Sequence, residues 1–351
     1  MQSTLQELLA GRPLGQAGAE RAFELILTGQ ANEMQVAAML ALLAARGVEL
    51  DELVGAARVM RRHVTPVPTR DSAERPLLDT CGTGGAPKTF NISTAAAVVA
   101  ASVRGSGPVQ SIRVAKHGGR SRTGRGAAEV LALLGVNVDA SPELQAKCLD
   151  DVGVCFSFAV NHHPAMRFAV GPRKSLGFPT IFNLLGPLTN PAGARRQLMG
   201  VWDGRYAEIV AKALGQLGAE RAMVVHGMDA LDEMTTCDQT FIAELSVGSA
   251  GPAVHTRLFD PLSVGVARAR HADLVADSAE DAAGMIRAVL GLCEDHRAAP
   301  ARDIVSLNAA AALVVGGVAR TFAEGVELSR AAIAGGAAAR TLQSLASRSK
   351  G

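Results

Sequence analysis

Hydrophobic positions in the first 64 residues recur three and four apart, a helical period. Leu5, Leu8 and Leu9 share one face, Thr4 with Glu7 makes a capping box ahead of it, and Gly11 closes the segment. The stretches AERAFELILTGQ (19–30) and NEMQVAAMLALLAARG (32–47) repeat the pattern, and DELVGAARVMRRH (51–63) adds a fourth helix. TPVPTRDSAERP (65–76) then places three prolines in twelve residues, which reads as a linker or boundary. Beyond it the period changes. Short apolar runs at 76–82, 109–118, 153–159, 196–202, 222–227 and 240–246 alternate with helix-like segments such as 127–135 and 205–218. That alternation predicts a mostly parallel sheet. Long alanine-rich helices are expected over about 279–296, 303–315 and 322–348. The fold class is therefore α/β: a small all-helical N-terminal domain (1–70, joined by part of 160–190) and a large α/β domain (71–351) with a mostly parallel central sheet.

The composition excludes several classes. With 351 residues, 48% hydrophobic and 19% charged, the chain can bury a large core, and two domains are the starting expectation. A formal charge of +2 without basic runs argues against nucleic-acid partners. The five cysteines are odd in number and lack a CxxC pair, which disfavours a disulfide framework and suits a reducing compartment. The N-terminus lacks the basic start of a signal peptide, and no charge-free apolar run of about 18 residues occurs. A cytoplasmic protein with no membrane association is expected.

Four stretches carry candidate chemistry. In DTCGTGGAPKTFNIST (79–94), Gly82, Gly84 and Gly85 allow close approach of an anion, and Asn91, Ser93 and Thr94 sit at a helix start, where free N–H groups favour negative charge. The plainer alternative is a strand-to-helix turn capped by Ser93 or Thr94. The stretch is neither GxGxxG nor GxxxxGKS, so dinucleotide and Walker-type sites are not supported. VAKHGGRS (114–121) places Lys116, His117 and Arg120 at the end of another apolar run, on the rim where open parallel sheets bind ligands; a surface charge cluster is the alternative. VVHGMDALDEMTT (224–236) sets Asp229, Asp232 and Glu233 after a strand, either as a solvated acidic loop or as hard oxygen ligands for Mg²⁺. The stretch 161–191 sets His162, His163, Arg173, Lys174 and Asn183 among five prolines, more a shaped wall than a regular element. Its histidines lack HExxH spacing and also suit a structural role.

Taken in order, GTGG…TFNIST, KHG-RS, HHPAM, TIFNLLGPLTNP and LDE resemble the anthranilate phosphoribosyltransferases, from the helical start to LNAAAALVVGG (307–317). The resemblance implies a homodimer with its active site in the cleft between the two domains, transferring phosphoribose from PRPP to the amine of anthranilate with Mg²⁺. It further implies that Gly82, Gly85, Thr89, Asn91, Ser93, Thr94 and Lys116 hold PRPP. Ser93, Asp232 and Glu233 would position Mg²⁺, and Gly82, His117, Gly119, Arg173 and Pro187 would receive the acceptor. Departures from the family pattern fall at Ala86, where aspartate is usual, at Gly119, where asparagine is usual, and at Pro179, where arginine is common. The loop RTGRGAAE (122–129) is one residue short, with Arg125 near the usual lysine. Two other readings are the same mechanism on another aromatic amine, motivated by Gly119 and Pro179, and a non-catalytic nucleic-acid-binding relative, opposed by the charge and by the retained Ser93 and acid pair.

Overall fold

The computed structural model of the chain describes residues 1–121 and 124–351; Arg122 and Thr123, in the shortened loop, lie outside the described residues. Four helices open the chain: α1 (Gln2–Leu9), α2 (Gly15–Leu27), α3 (Glu33–Arg46) and α4 (Leu50–Arg62). The expected Thr4–Glu7 box does not form, because α1 already begins at Gln2, and Glu7 pairs with Arg12 at 2.5 Å instead. Within the helical unit Asn32 and Gln35 form a box at α3, and Glu52 accepts the Glu49 N–H at the start of α4. Glu52 is fully buried, yet it accepts the N–H groups of Leu14 and Glu49 at 3.0 Å and pairs with Arg46, so its charge is satisfied.

The α/β part runs β1 (Leu77–Gly82), α5 (Ile92–Ser102), β2 (Arg113–Gly118), α6 (Ala127–Leu133), α7 (Pro142–Asp151), β3 (Val154–Phe158), α8 (Ala159–His162), α9 (Arg167–Leu176), α10 (Ile181–Leu185), β4 (Arg196–Gly200), α11 (Ala207–Gln216), β5 (Arg221–Gly227), β6 (Thr240–Gly248), β7 (Gly251–Phe259), α12 (Ala279–Val289), α13 (Ala298–Gly316), α14 (Phe322–Ala334) and α15 (Ala337–Arg348). The sheet order is β3-β2-β1-β4-β5-β6-β7, parallel through β5 and antiparallel beyond it. Three differences from the sequence reading have local causes. β7 is an outer strand with mostly exposed side chains, so it lacks the apolar run that marks its neighbours. The single helix expected over 322–348 breaks at Gly335–Gly336, where Gly336 takes a left-handed φ of 71°. The 160–190 wall contains regular helix, with Pro172 inside α9.

Two hydrophobic cores result. One lies under α5, α12, α13 and the β1–β3 half of the sheet. The other joins Phe23, Leu40, Leu53 and Val54 of the helical unit to Ala169 and Phe182 of α9 and α10, and to Met199, Ala211 and Val224 of the sheet side. The helical unit therefore buries its apolar faces on its own chain. Among the described residues, helix α13 alone is long and apolar enough to cross a membrane, and 72% of its apolar window is buried inside the protein.

Candidate active site

Strand order reverses between β1 and β4: the chain steps outward from β1 to β2 to β3, then returns to β4 on the other side. Ligands of open α/β sheets bind in the crevice at the carboxyl ends of such strands. The loop after β1, the loop after β4 and the acidic loop after β5 meet there. Gly200 and Gly82 are needed because Asp232 passes over both strand ends. A Cβ on Gly200 would lie 1.6 Å from the Asp232 carbonyl oxygen, and one on Gly82 would lie 2.5 Å from its Oδ2.

The acids dock on the glycine loop. Gly84 donates its N–H to Asp232 Oδ2 at 3.0 Å, and Ser93 donates its N–H to Glu233 Oε1 at 3.2 Å. Gly84 and Gly85 adopt φ of 66° and 95°, left-handed conformations that favour glycine and shape the turn around the Asp232 carboxylate. Helix α5 begins at Ile92 with Asn91, not Ser93 or Thr94, at its N-cap position, and no side chain caps it. Asn91 Nδ2 donates to the Arg125 carbonyl, whereas Asn91 Oδ1 and Thr94 Oγ1 are buried without partners. The Thr94 hydroxyl can donate to an anionic ligand at this helix start, whereas Asn91 Oδ1 only accepts and suits a ligand hydroxyl. Thr89 lies half-buried in the same loop. Lys116 is buried beneath, its Nζ donating to the Thr80 carbonyl at 2.9 Å and to Ser93 Oγ at 3.1 Å.

Burial shifts these groups. Desolvation raises the Glu233 carboxyl to about 8, aided by Asp232, and raises that of Asp232 too. Two acids that repel each other in a desolvated crevice call for a cation. Among the described residues no cluster of three His, Cys, Asp or Glu forms a cage. A hydroxyl and two carboxylates are hard oxygen donors that fit Mg²⁺, which completes its shell with water and substrate phosphates.

The other wall is built differently. His117 lies near the end of β2 with its Nε2 3.2 Å from Nε2 of His163, and the Gly186 main chain lies beside its ring, next to buried Pro187. Burial holds both imidazoles neutral, His117 well below its usual value and His163 at about 4. Arg173, on α9, stacks its guanidinium 5.4 Å from the Phe182 ring centre and is largely desolvated. No carboxylate pairs with it among the described residues. Gly119 borders open space: a Cβ there would meet only the Ala159 Cβ, at 4.0 Å.

Sequence reasoning missed four supports. Asn308 grips the acidic loop through the Met234 N–H (3.0 Å) and carbonyl (2.8 Å); a lone asparagine in an apolar helix was the available signal. Thr83 Oγ1 accepts the Trp202 N–H at 3.0 Å and ties the β1 and β4 loops together. Asp79 and Asn190 reach main-chain groups beside β2. Asp229, by contrast, turns inward to accept the Thr235 hydroxyl at 2.8 Å, away from the acid pair's role.

Comparison with known proteins agrees across the whole chain. Residues 74–339 match the glycosyl transferase family a/b domain, and residues 2–64 match the glycosyl transferase family helical bundle domain. The anthranilate phosphoribosyltransferase of Moorella thermoacetica is 45% identical over 347 residues (98% of this chain, 97% of that one), and that of Thioalkalivibrio sulfidiphilus is 48% identical over 325 residues (92% and 91%). The crystal structure of the Thermus thermophilus enzyme superposes with a TM-score of 0.86 at 34% identity, covering 99% of both chains. The Saccharomyces cerevisiae enzyme, solved in complex with PRPP and Mg, shares the fold with a TM-score of 0.84 at 24% identity, covering 99% of this chain and 97% of that one. The chain belongs to the anthranilate phosphoribosyltransferase family.

Proposed function

We infer that the chain transfers the 5-phosphoribosyl group of PRPP to the amine of anthranilate, releasing pyrophosphate, in tryptophan biosynthesis. The observation that carries this is the crevice itself: a glycine loop and the start of α5, where the Thr94 hydroxyl is buried without a partner, docked against two desolvated acids. In this reading Gly82, Gly85, Thr89, Asn91, Ser93, Thr94 and Lys116 hold PRPP. Ser93, Asp232 and Glu233 hold Mg²⁺, which when bound neutralises charge on the departing pyrophosphate. Gly82, His117, Gly119, Arg173 and Pro187 receive the acceptor, whose carboxylate pairs with Arg173.

An aniline amine is neutral at pH 7 with its lone pair available, so it attacks C1 of the ribose without a strong base. The histidine geometry supports that economy. His117 Nε2 already faces His163 Nε2 at 3.2 Å, and burial holds both imidazoles neutral. The protein's work is positioning and electrostatic stabilisation, with no side-chain nucleophile. A domain division near residue 70, with part of 160–190 on the helical side, belongs to the same proposal, as does a homodimer, which sedimentation at micromolar concentration tests. Leu9 and Met34, exposed on the helical unit, support the dimer.

A second reading, an aromatic amine other than anthranilate, is favoured by one observation, the open space beside Gly119. Pyrophosphate release from PRPP and Mg²⁺ with a panel of aromatic amines separates the two. Anthranilate is expected to be the best acceptor; a better amine replaces it, and no release with any amine overturns the reading.

A further inference from the structure

Strands β1 and β2 are neighbours that pair only at Leu77–Arg113 and Leu78–Val114, whereas β1 and β4 stay in register from Leu78–Arg196 to Gly82–Gly200. Past Leu78 the β1–β2 ladder opens. Its buried main-chain groups still need partners, and side chains supply them. Asn190 Nδ2 donates to the Ala115 carbonyl at 2.7 Å, Lys116 Nζ donates to the Thr80 carbonyl at 2.9 Å, and Asp79 Oδ1 accepts the His117 N–H at 3.2 Å. The result is a polar wedge between two strands, directly beneath the crevice.

Asp79 is the unusual member. It is fully buried, and its Oδ2 has no hydrogen bond of proper geometry, although Asn190 and Cys81 lie beside it. Satisfying the His117 N–H requires only an acceptor, which a neutral asparagine also offers. The negative charge has another use: Lys116, buried and bonded to Ser93 Oγ, is its neighbouring cation. We propose that Asp79 is a positioning residue for phosphoribosyl transfer, fixing the His117 main chain through one oxygen and, through its charge, keeping the Lys116 ammonium directed at Ser93. Asp79 touches neither substrate in this scheme; it acts through Lys116 on the phosphate side and through His117 on the acceptor side. The inference rests on the functional reading above.

The full chain carrying Asp79→Asn keeps the acceptor for His117 and removes the charge. Calorimetry with inorganic pyrophosphate and Mg²⁺ should show binding weakened about tenfold or more, the scale of a lost charged contact, with a thermal midpoint close to wild type and the amine KM nearly unchanged. Asp79→Ala should in addition raise the amine KM. Wild-type pyrophosphate binding in Asp79→Asn overturns the proposal, as does an equal loss on both substrates accompanied by a lower thermal midpoint, the mark of a purely structural role. The double variant Asp79→Asn/Lys116→Gln buries no unpaired charge, so it serves if the single variant does not fold. It should bind pyrophosphate as Lys116→Gln does. A further loss overturns the proposal, and failure of both variants to fold assigns Asp79 to the fold alone. A wild-type protein that binds no pyrophosphate undoes the functional reading instead, so the two failures are distinguishable.

Discussion

The two walls of the crevice are opposites in charge economy. On the side proposed for the phosphates the charged groups already lean on neighbours: Asp232 on the Gly84 N–H, Glu233 on the Ser93 N–H, Lys116 on Ser93. On the side proposed for the acceptor two histidines are held neutral by burial, and Arg173 stacks on Phe182 with no acid paired to it among the described residues. A wall of interlocked charges is sensitive to any single removal, because each group left behind is desolvated and unpaired. A wall of neutral rings and an arginine that pairs with no acid among the described residues instead localises its selectivity in that residue. The comparison teaches where mutations should act on turnover as a whole and where they should act on one substrate.

The largest effect expected is on the interlocked wall. Asp232→Asn with Glu233→Gln should lower turnover by roughly a thousandfold or more, and wild-type activity should vanish in excess EDTA. The thermal midpoint should hold or rise, because two carboxyls whose protonation is favoured by burial and mutual repulsion no longer compete. Full wild-type activity in EDTA would remove the metal from this wall.

Arg173→Ala sharpens the other wall. It leaves the acceptor carboxylate desolvated and unpaired, a loss of about 2–5 kcal/mol by analogy with buried charge pairs. The acceptor KM should rise steeply while pyrophosphate binding, measured by calorimetry, stays near wild type. A matching loss on both substrates would erase the distinction between the walls.

A smaller effect follows from the histidine pair. The folded-state value of His163 is depressed from 6.5 to about 4, so the unfolded chain takes up its proton first as pH falls. This contribution to stability is complete above pH 6.5 and is lost progressively down to about pH 4. Thermal midpoints across that window should fall more steeply for the wild type than for His163→Gln; parallel curves would mean that the imidazole is not held neutral.

The smallest effect expected is at Gly119. Its φ is not left-handed and its Cβ direction is open to Ala159, so Gly119→Asn fits without strain. An added neutral hydrogen bond to the acceptor is worth about 0.5–1.5 kcal/mol, so the anthranilate KM should fall modestly or stay level. Lost activity with anthranilate, together with a wild-type preference for a bulkier amine, would mean that the glycine makes room for a different acceptor.

Periodicity alone separated the helical start from the strand-helix alternation, because a helix face and a buried parallel strand leave distinct local spacings. Motif order, read by resemblance, brought out Ser93, Lys116, His117, Arg173, Asp232 and Glu233. Local pattern failed where the deciding contact is distant or where solvent covers the element. β7 carries few buried side chains, and Thr4 with Glu7 has the right spacing for a box on a helix that starts earlier. Gly82 illustrates the limit most clearly. The sequence marks it as a place where an anion could approach, but the group that would strike its Cβ in the folded chain is the carboxylate of Asp232, 150 residues away. Likewise, nothing local distinguishes Asp79 from any other polar residue at a strand start. The sequence by itself determined the element types, the domain pattern and the residue types available for chemistry. Tertiary structure alone decided which buried group meets which, because the partners of a desolvated charge are chosen by strand order and register rather than by neighbours along the chain.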